Sequence, residues 1–295
     1  MLGSSVARFL VVCAPDLALL LAIPCLVSCS FFAPTLEEYA RGAAGAGGAA
    51  SVAQDATDSG GAAGDTSATC TPHAELCNGK DDDCDGTVDN GCPSAFLRGS
   101  ATQRPALGDS TGGSAFAGVC ATDEVITGLQ IATSNWLDQV TAVCQKYTLG
   151  VNTQVTPYQY SFALGASESL ASHPPSTTDS IQALTCPSGT VLVGLNISEQ
   201  TVTEVSTQYV VITRVSTTCA EPILNLTGTT PQVTWQNPVM IGPLSSSTFD
   251  ATQATTRSDT LDPTQLSVGL HGASGLWVDQ IGLTDSSIQV LVQSP

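Results

Sequence analysis

The chain predicts an all-β fold with pseudo-threefold symmetry, and three observations carry that prediction. The stretches Gly128-Leu129-Gln130-Ile131-Ala132-Thr133-Ser134-Asn135-Trp136-Leu137-Asp138-Gln139-Val140 and Gly269-Leu270-His271-Gly272-Ala273-Ser274-Gly275-Leu276-Trp277-Val278-Asp279-Gln280-Ile281 agree at Gly, Leu, Ala, Trp, Asp and Gln at equal offsets, which defines an internal repeat. A weaker copy begins at Val191-Leu192-Val193-Gly194-Leu195-Asn196-Ile197 and resumes, after an insertion, at Val211-Ile212-Thr213-Arg214-Val215. Cysteines hold these two copies in register: Cys120 precedes Gly128 by the interval at which Cys186 precedes Gly194, and Cys144 follows Val140 as Cys219 follows Val215. Each copy is an alternating run, a small polar turn and a second alternating run, which reads as a β-hairpin. No helical period of comparable length competes.

The elements follow in order. Arg8 precedes an apolar run that ends in Leu26-Val27-Ser28-Cys29, the pattern of a lipobox. Residues 1–28 are therefore expected to be a lipoprotein signal peptide, with Cys29 as the lipidated first residue of a bacterial envelope protein, on the outer membrane or cell surface. Residues 29–69 form the tether. From 42 onward they are almost entirely Gly, Ala, Ser, Thr, Asp and Gln, too poor in apolar surface to pack.

Residues 70–92 are an acidic, cysteine-rich module. Asp81, Asp83 and Asp85 alternate, Gly86 follows, then Thr87 and Asp89. That spacing lets a tight turn point several hard oxygens, with the Thr87 carbonyl among them, at one Ca²⁺. Cys92 stands where such loops place a bidentate Glu, so Glu75, Asn78 or water would complete the shell. The segment resembles an Asp- and Cys-rich motif of bacterial surface proteins, some of which bind copper, and copper through His73 and thiols is the alternative cofactor. A disulfide-stapled knot holding no ion is the plain structural reading.

Of the 11 cysteines, Cys13 and Cys25 fall in the signal segment and Cys29 carries lipid. The rest divide between the module, with Cys70, Cys77, Cys84 and Cys92, and the repeats. Register pairs Cys120 with Cys144 and Cys186 with Cys219. The third repeat has Leu261 and Asp285 at the matching places and no staple. The segments after repeats one and two, Pro157–Ser180 and 222–262, are expected to supply outer strands.

Gly272-x-Ser274-Gly275-x-x-Val278-Asp279-x-Ile281-Gly282 resembles the terminal motif of jacalin-like lectins, and Gly112-Gly113-Ser114-Ala115-Phe116 resembles the glycine-rich start of that domain. Vitelline outer-layer proteins have a similar cysteine-bearing threefold repeat. The resemblance spans about residues 105–295 and implies a β-prism, three antiparallel sheets around one core. It further implies a carbohydrate site of backbone amides and one carboxylate at Gly275, Leu276, Trp277 and Asp279, where a carboxylate accepts hydroxyl hydrogen bonds and glycine permits close approach. Repeat one keeps Trp136 and Asp138 but has Ser134 in place of the glycine. The plain alternative is that both tryptophans pack the core and both aspartates brace turns.

The expected partner is thus a carbohydrate or glycoconjugate; the other class is a structural or adhesive surface protein that binds proteins. A net charge of −18 excludes nucleic acid and anionic membrane surfaces as partners, so the membrane is reached only through the lipid. Gly108-Asp109-Ser110-Thr111-Gly112 fits G-x-S-x-G, yet no helix is expected after it and no histidine holds a recognisable base position, so the chain is not expected to be an enzyme.

Overall fold

The computed structural model describes residues 71–174, 180–226 and 231–294. Residues 1–70, and with them the signal segment, Cys29, the tether and Cys70, lie outside the described residues. The described residues form one compact unit, which holds the acidic module and the repeats together.

Each repeat folds as the hairpin its alternation predicts. In repeat one, β5 (Glu124–Thr133) pairs antiparallel with β6 (Leu137–Asn152); in repeat two, β9 (Val191–Glu204) pairs with β10 (Thr207–Asn225); in repeat three, β13 (Leu266–Ser274) pairs with β14 (Val278–Ser286). Outer strands flank every hairpin. β7 (Gln159–Ser169) and β8 (Ile181–Thr185) give the sheet β7-β6-β5-β8, and β11 (Gln232–Ser245) and β12 (Thr255–Thr260) give β11-β10-β9-β12. β7, β11 and β12 lie in the segments expected to supply outer strands, whereas β8 begins just past the first of them.

Repeat three is flanked differently. Its outer strands come from ahead of repeat one: β2 (Thr102–Gln103) and β3 (Leu107–Gly108) pair with β14, and β4 (Ser114–Val119) pairs with β13. β1 (Pro93–Arg98) pairs with β15 (Ile288–Val292), and that ribbon extends the second sheet through β11. The strand system therefore starts at Pro93, ahead of the expected start near 105.

The result is three antiparallel sheets and, among the described residues, no helix: a β-prism with one repeat per sheet. Its core draws on all three hairpins, with Ile126, Leu129, Leu195, Ile197, Leu270 and Ile281 buried in one cluster. A second cluster seats Phe96, Tyr147 and Phe162 against one another and against Val290, locking the β1–β15 ribbon to repeat one. Both register-derived disulfides form, Cys120–Cys144 and Cys186–Cys219. In repeat three the corresponding Leu261 is buried in the core, and Asp285 lies 3.6 Å from Arg104, which also pairs with Asp259 at 2.8 Å. A cross-sheet ion cluster thus stands where the other repeats have a staple.

The acidic module is sewn to the prism at two places. Gly91 N donates to the Gln293 carbonyl and Gln293 N donates to the Cys92 carbonyl, each at 2.8 Å, while Tyr158 N donates to the Cys77 carbonyl at 2.6 Å. Cys77 pairs with Cys92, and Cys84 is also disulfide-bonded.

Candidate carbohydrate site

The three hairpin turns differ in what surrounds them. In repeat three the turn is closed by Gly275 N donating to the Trp277 carbonyl at 2.9 Å. Gly275 and Leu276 are exposed there, Leu276 at 85 %. The amides of Leu276 and Trp277 make no hydrogen bond to any other described residue. Asp279 follows at the start of β14, its side chain largely covered.

What covers Asp279 is the loop from β3 to β4. Asp109 N donates to the Asp279 carbonyl at 2.9 Å, which draws that loop across the turn. A methyl group on Gly112 would lie 2.4 Å from Asp279 Oδ1, and one on Gly113 would lie 2.4 Å from Oδ2. Only glycines allow this approach, and Gly113 further adopts a φ of 65°. Burial raises the Asp279 carboxyl above the ordinary carboxylate value, a shift opposed by the Trp277 side chain and reinforced by the charge of Asp109.

Repeat two supplies the far wall. Its insertion lengthens the β9–β10 hairpin and brings Gln208, Tyr209 and Val210 to the cleft, with the Tyr209 ring edge-to-face to Trp277 at 6.1 Å. Together these groups bound a cleft of about 350 Å³ lined by Asp109, Gly112, Gly113, Tyr209, Trp277 and Asp279 among others. All four residues expected from the sequence, Gly275, Leu276, Trp277 and Asp279, line it. The Tyr209 wall was not expected; its only signal in the sequence is that repeat two carries an insertion.

The equivalent turn in repeat one is closed. Asp138 accepts the Ser134 amide, as Asp279 accepts the equivalent Gly275 amide, so the two turns differ in what covers them. Ser247 then donates through N, at 2.8 Å, and through Oγ, at 2.9 Å, to the Ser134 carbonyl, and Thr248 Oγ1 donates to the Asn135 carbonyl. The segment between β11 and β12 lies where a ligand of that turn would be. In repeat two Thr213 replaces the aspartate and is buried, its hydroxyl donating to the Ser198 carbonyl at 3.2 Å.

Neither tryptophan is a core residue. Trp136 and Trp277 are half-buried at the turns and meet each other edge to face at 4.4 Å. The G-x-S-x-G stretch contributes its last glycine to the aspartate cradle, and no histidine lines the cleft. His173 stacks on Phe116 at 4.3 Å, and His271 places Nε2 2.9 Å from the Arg104 carbonyl.

In the acidic module the structure regroups the expected cation ligands. Carboxylate oxygens of Glu75, Asp81 and Asp83 lie within 4.8 Å of one another. Asp85 Oδ1 accepts Thr87 N at 2.7 Å, and Asp89 Oδ1 accepts Asn78 N at 2.7 Å and Gly79 N at 2.9 Å; Asp81, Asp83 and Glu75 accept backbone amides too, from Gly86 at 2.9 Å, Asp85 at 3.1 Å and Asp89 at 3.1 Å. Positive φ at Cys84, Gly86 and Asp89 folds the loop so that Asp85 caps its own turn and Asp89 ties the loop back to Asn78 and Gly79.

Fold and site together define a β-prism protein with one glycine-cradled aspartate cleft at a hairpin turn. No protein-family model and no curated protein matches the chain. Among solved structures, wild-type Malaysian banana lectin is similar at 15 % identity, over 64 % of this chain and 99 % of that one, with a TM-score of 0.36. Calystegia sepium agglutinin is similar at 17 % identity, over 63 % and 97 %, with a TM-score of 0.36. A mannose-specific jacalin-related lectin from Morus nigra, solved with mannose, is similar at 16 % identity, over 65 % and 96 %, with a TM-score of 0.38. The superpositions are loose, and the prism stands on its own strand pairing.

Proposed function

We propose that the chain is a carbohydrate-binding protein whose site is the repeat-three cleft. The observation that carries this reading is the contact of Asp279 with Gly112 and Gly113 beside two amides that lack an internal acceptor. An acceptor carboxylate, free N–H donors and an aromatic wall are the groups a neutral pyranose ring needs. Two carboxylates, Asp279 and Asp109, disfavour an acidic sugar there. Titration with neutral monosaccharides tests the reading. Asp279→Ala should cost about 1.5–3 kcal/mol, tenfold to more than a hundredfold in affinity, while Asp138→Ala leaves affinity unchanged. A glycan panel without a hit, combined with specific capture of a surface protein, would favour the adhesive reading instead.

Two further readings belong to the same proposal. The chain is lipid-anchored through Cys29 in the cell envelope, and Cys29→Ser should shift it from membrane to soluble fractions. The module holds one Ca²⁺ through Glu75, Asp81 and Asp83: the donor set is all hard oxygen, and the described cysteines of the module are oxidised, which leaves copper without their thiolates. Glu75→Gln should weaken calcium binding in calorimetry, and tight Cu²⁺ binding with no calcium response would reassign the module.

A further inference from the structure

One position differs in charge among the three repeats. The position that follows the turn aspartate is Gln139 in repeat one and Gln280 in repeat three, both neutral, whereas repeat two has Arg214. Gln139 satisfies itself internally, donating Nε2 to the Pro174 carbonyl at 2.9 Å. Arg214 does not. Among the described residues no carboxylate lies in ion-pair range of its guanidinium; Arg104, Lys146 and Arg257 are paired, and Arg98, also without an ion pair, spends its fork on the Cys120 and Ala121 carbonyls at 3.1 and 2.6 Å.

The guanidinium is nonetheless held in place. It sits over the Phe249 ring with Cζ 5.0 Å from the centroid. A cation–π stack fixes the plane of the group and leaves its N–H fork unspent. The surrounding register brings further polar groups to the same face. Arg214 is paired across the ladder with Ser198, and Ser198 with Thr256; Ser216 is paired with Asn196. Arg214, Ser198, Ser216, Asn196 and Thr256, with Met240 at the rim, line a cleft of about 190 Å³ that contains no acidic side chain. Ser198 and Ser216 are buried at 5 % and 8 % exposure, and the Ser216 hydroxyl makes no hydrogen bond to another described residue. The neighbouring Glu199 is neutralised by Arg257 at 2.8 Å, so Arg214 supplies the only net charge of the cleft.

We infer that this cleft is a second ligand site, separate from the repeat-three cleft, and that it takes a carboxylate-bearing ligand of about one sugar ring, such as a uronic acid. The planar fork of Arg214 matches a carboxylate two N–H to two O, and the unbonded Ser216 hydroxyl lines the cleft for a ring hydroxyl, while Asn196 and Thr256 are held in place by Thr218 at 3.5 Å and Ser198 at 3.3 Å. The volume falls below the ~300–1,000 Å³ of sites for drug-sized molecules, which restricts the ligand to a single small ring. The acidic cleft of repeat three excludes the same ligand, so the two sites divide neutral from acidic sugars.

The test is a titration of the folded full chain with glucuronate, glucose and acetate, followed by NMR shifts or calorimetry. Glucuronate should bind, acetate should bind more weakly, and both should lose at least tenfold with Arg214→Gln. Arg214→Lys, which keeps the charge without the fork, should fall between, and Ser216→Ala should weaken glucuronate but not acetate. Asp279→Ala should leave glucuronate binding intact, which separates this site from the one proposed for neutral sugars. Glucuronate binding that survives Arg214→Gln in a variant with unchanged melting, or no binding of either carboxylate to the parent, would overturn the inference.

Discussion

Trp136 and Trp277 meet edge to face with ring centroids 4.4 Å apart, joining the turn of repeat one to the turn of repeat three. Repeat one therefore buttresses a cleft to which its own aspartate contributes nothing. Trp136→Ala should remove about 0.5–1.5 kcal/mol of ring–ring interaction beyond the area it buries. It should also weaken sugar affinity by loosening Trp277, although Trp136 does not line the cleft. Thermal melting and sugar titration of the one variant check both effects.

Asp279 makes the cleft sensitive to acid in a way that separates binding from folding. Its carboxyl is raised above the ordinary value, chiefly by burial. The folded state then binds more protons than the unfolded chain between the two values, so stability falls as pH rises through that window and is greatest below it. Sugar binding runs the other way, since the acceptor must be ionised, and affinity should decline as pH falls through the same window. In Asp279→Asn the melting temperature at neutral pH should be at least that of the parent, and this part of the pH dependence should disappear. Melting curves and titrations at a series of acidic pH values measure the two slopes.

Gly113 and Gly189 offer a matched pair. Both have positive φ, 65° and 80°, but a methyl on Gly189 meets nothing within 4 Å, whereas one on Gly113 meets Asp279 Oδ2 at 2.4 Å and the Ser274 backbone at 2.6 Å. Gly189→Ala should cost about 1–2 kcal/mol of left-handed strain with sugar binding unchanged. Gly113→Ala should cost more than that and abolish binding, because the Asp279 carboxylate must move. Denaturant melts beside titrations distinguish the pair.

The two prism disulfides should contribute comparably. Their cysteines are separated by 24 and 33 residues, and loop-closure entropy assigns about 3–4 kcal/mol to each, with the repeat-two bridge ahead by no more than ~0.3 kcal/mol. Replacing either pair by alanine should lower stability by that amount, read from denaturant unfolding under oxidising conditions.

Much of this architecture is local and so is written in the chain. Alternation set the hairpins, equal offsets set their equivalence, and the register of the repeats set both bridges, each of which ties the chain just ahead of a hairpin to its second strand. Asp279 and its glycine-bearing turn were singled out through the resemblance of their motif to that of a known family. Glu75, Asp81 and Asp83 were each named from the sequence, but not the amides that Asp85 and Asp89 accept, since left-handed residues at Cys84, Gly86 and Asp89 redirect the side chains that an alternating spacing aligns. What only the tertiary structure decided is which segments cross which turn. The Asp109–Gly113 loop cradles Asp279, Ser247 and Thr248 close the turn of repeat one, and the lengthened hairpin of repeat two walls the cleft of repeat three. These contacts join residues far apart in the chain, and the closure of three sheets around one core, not any local pattern, brings them together.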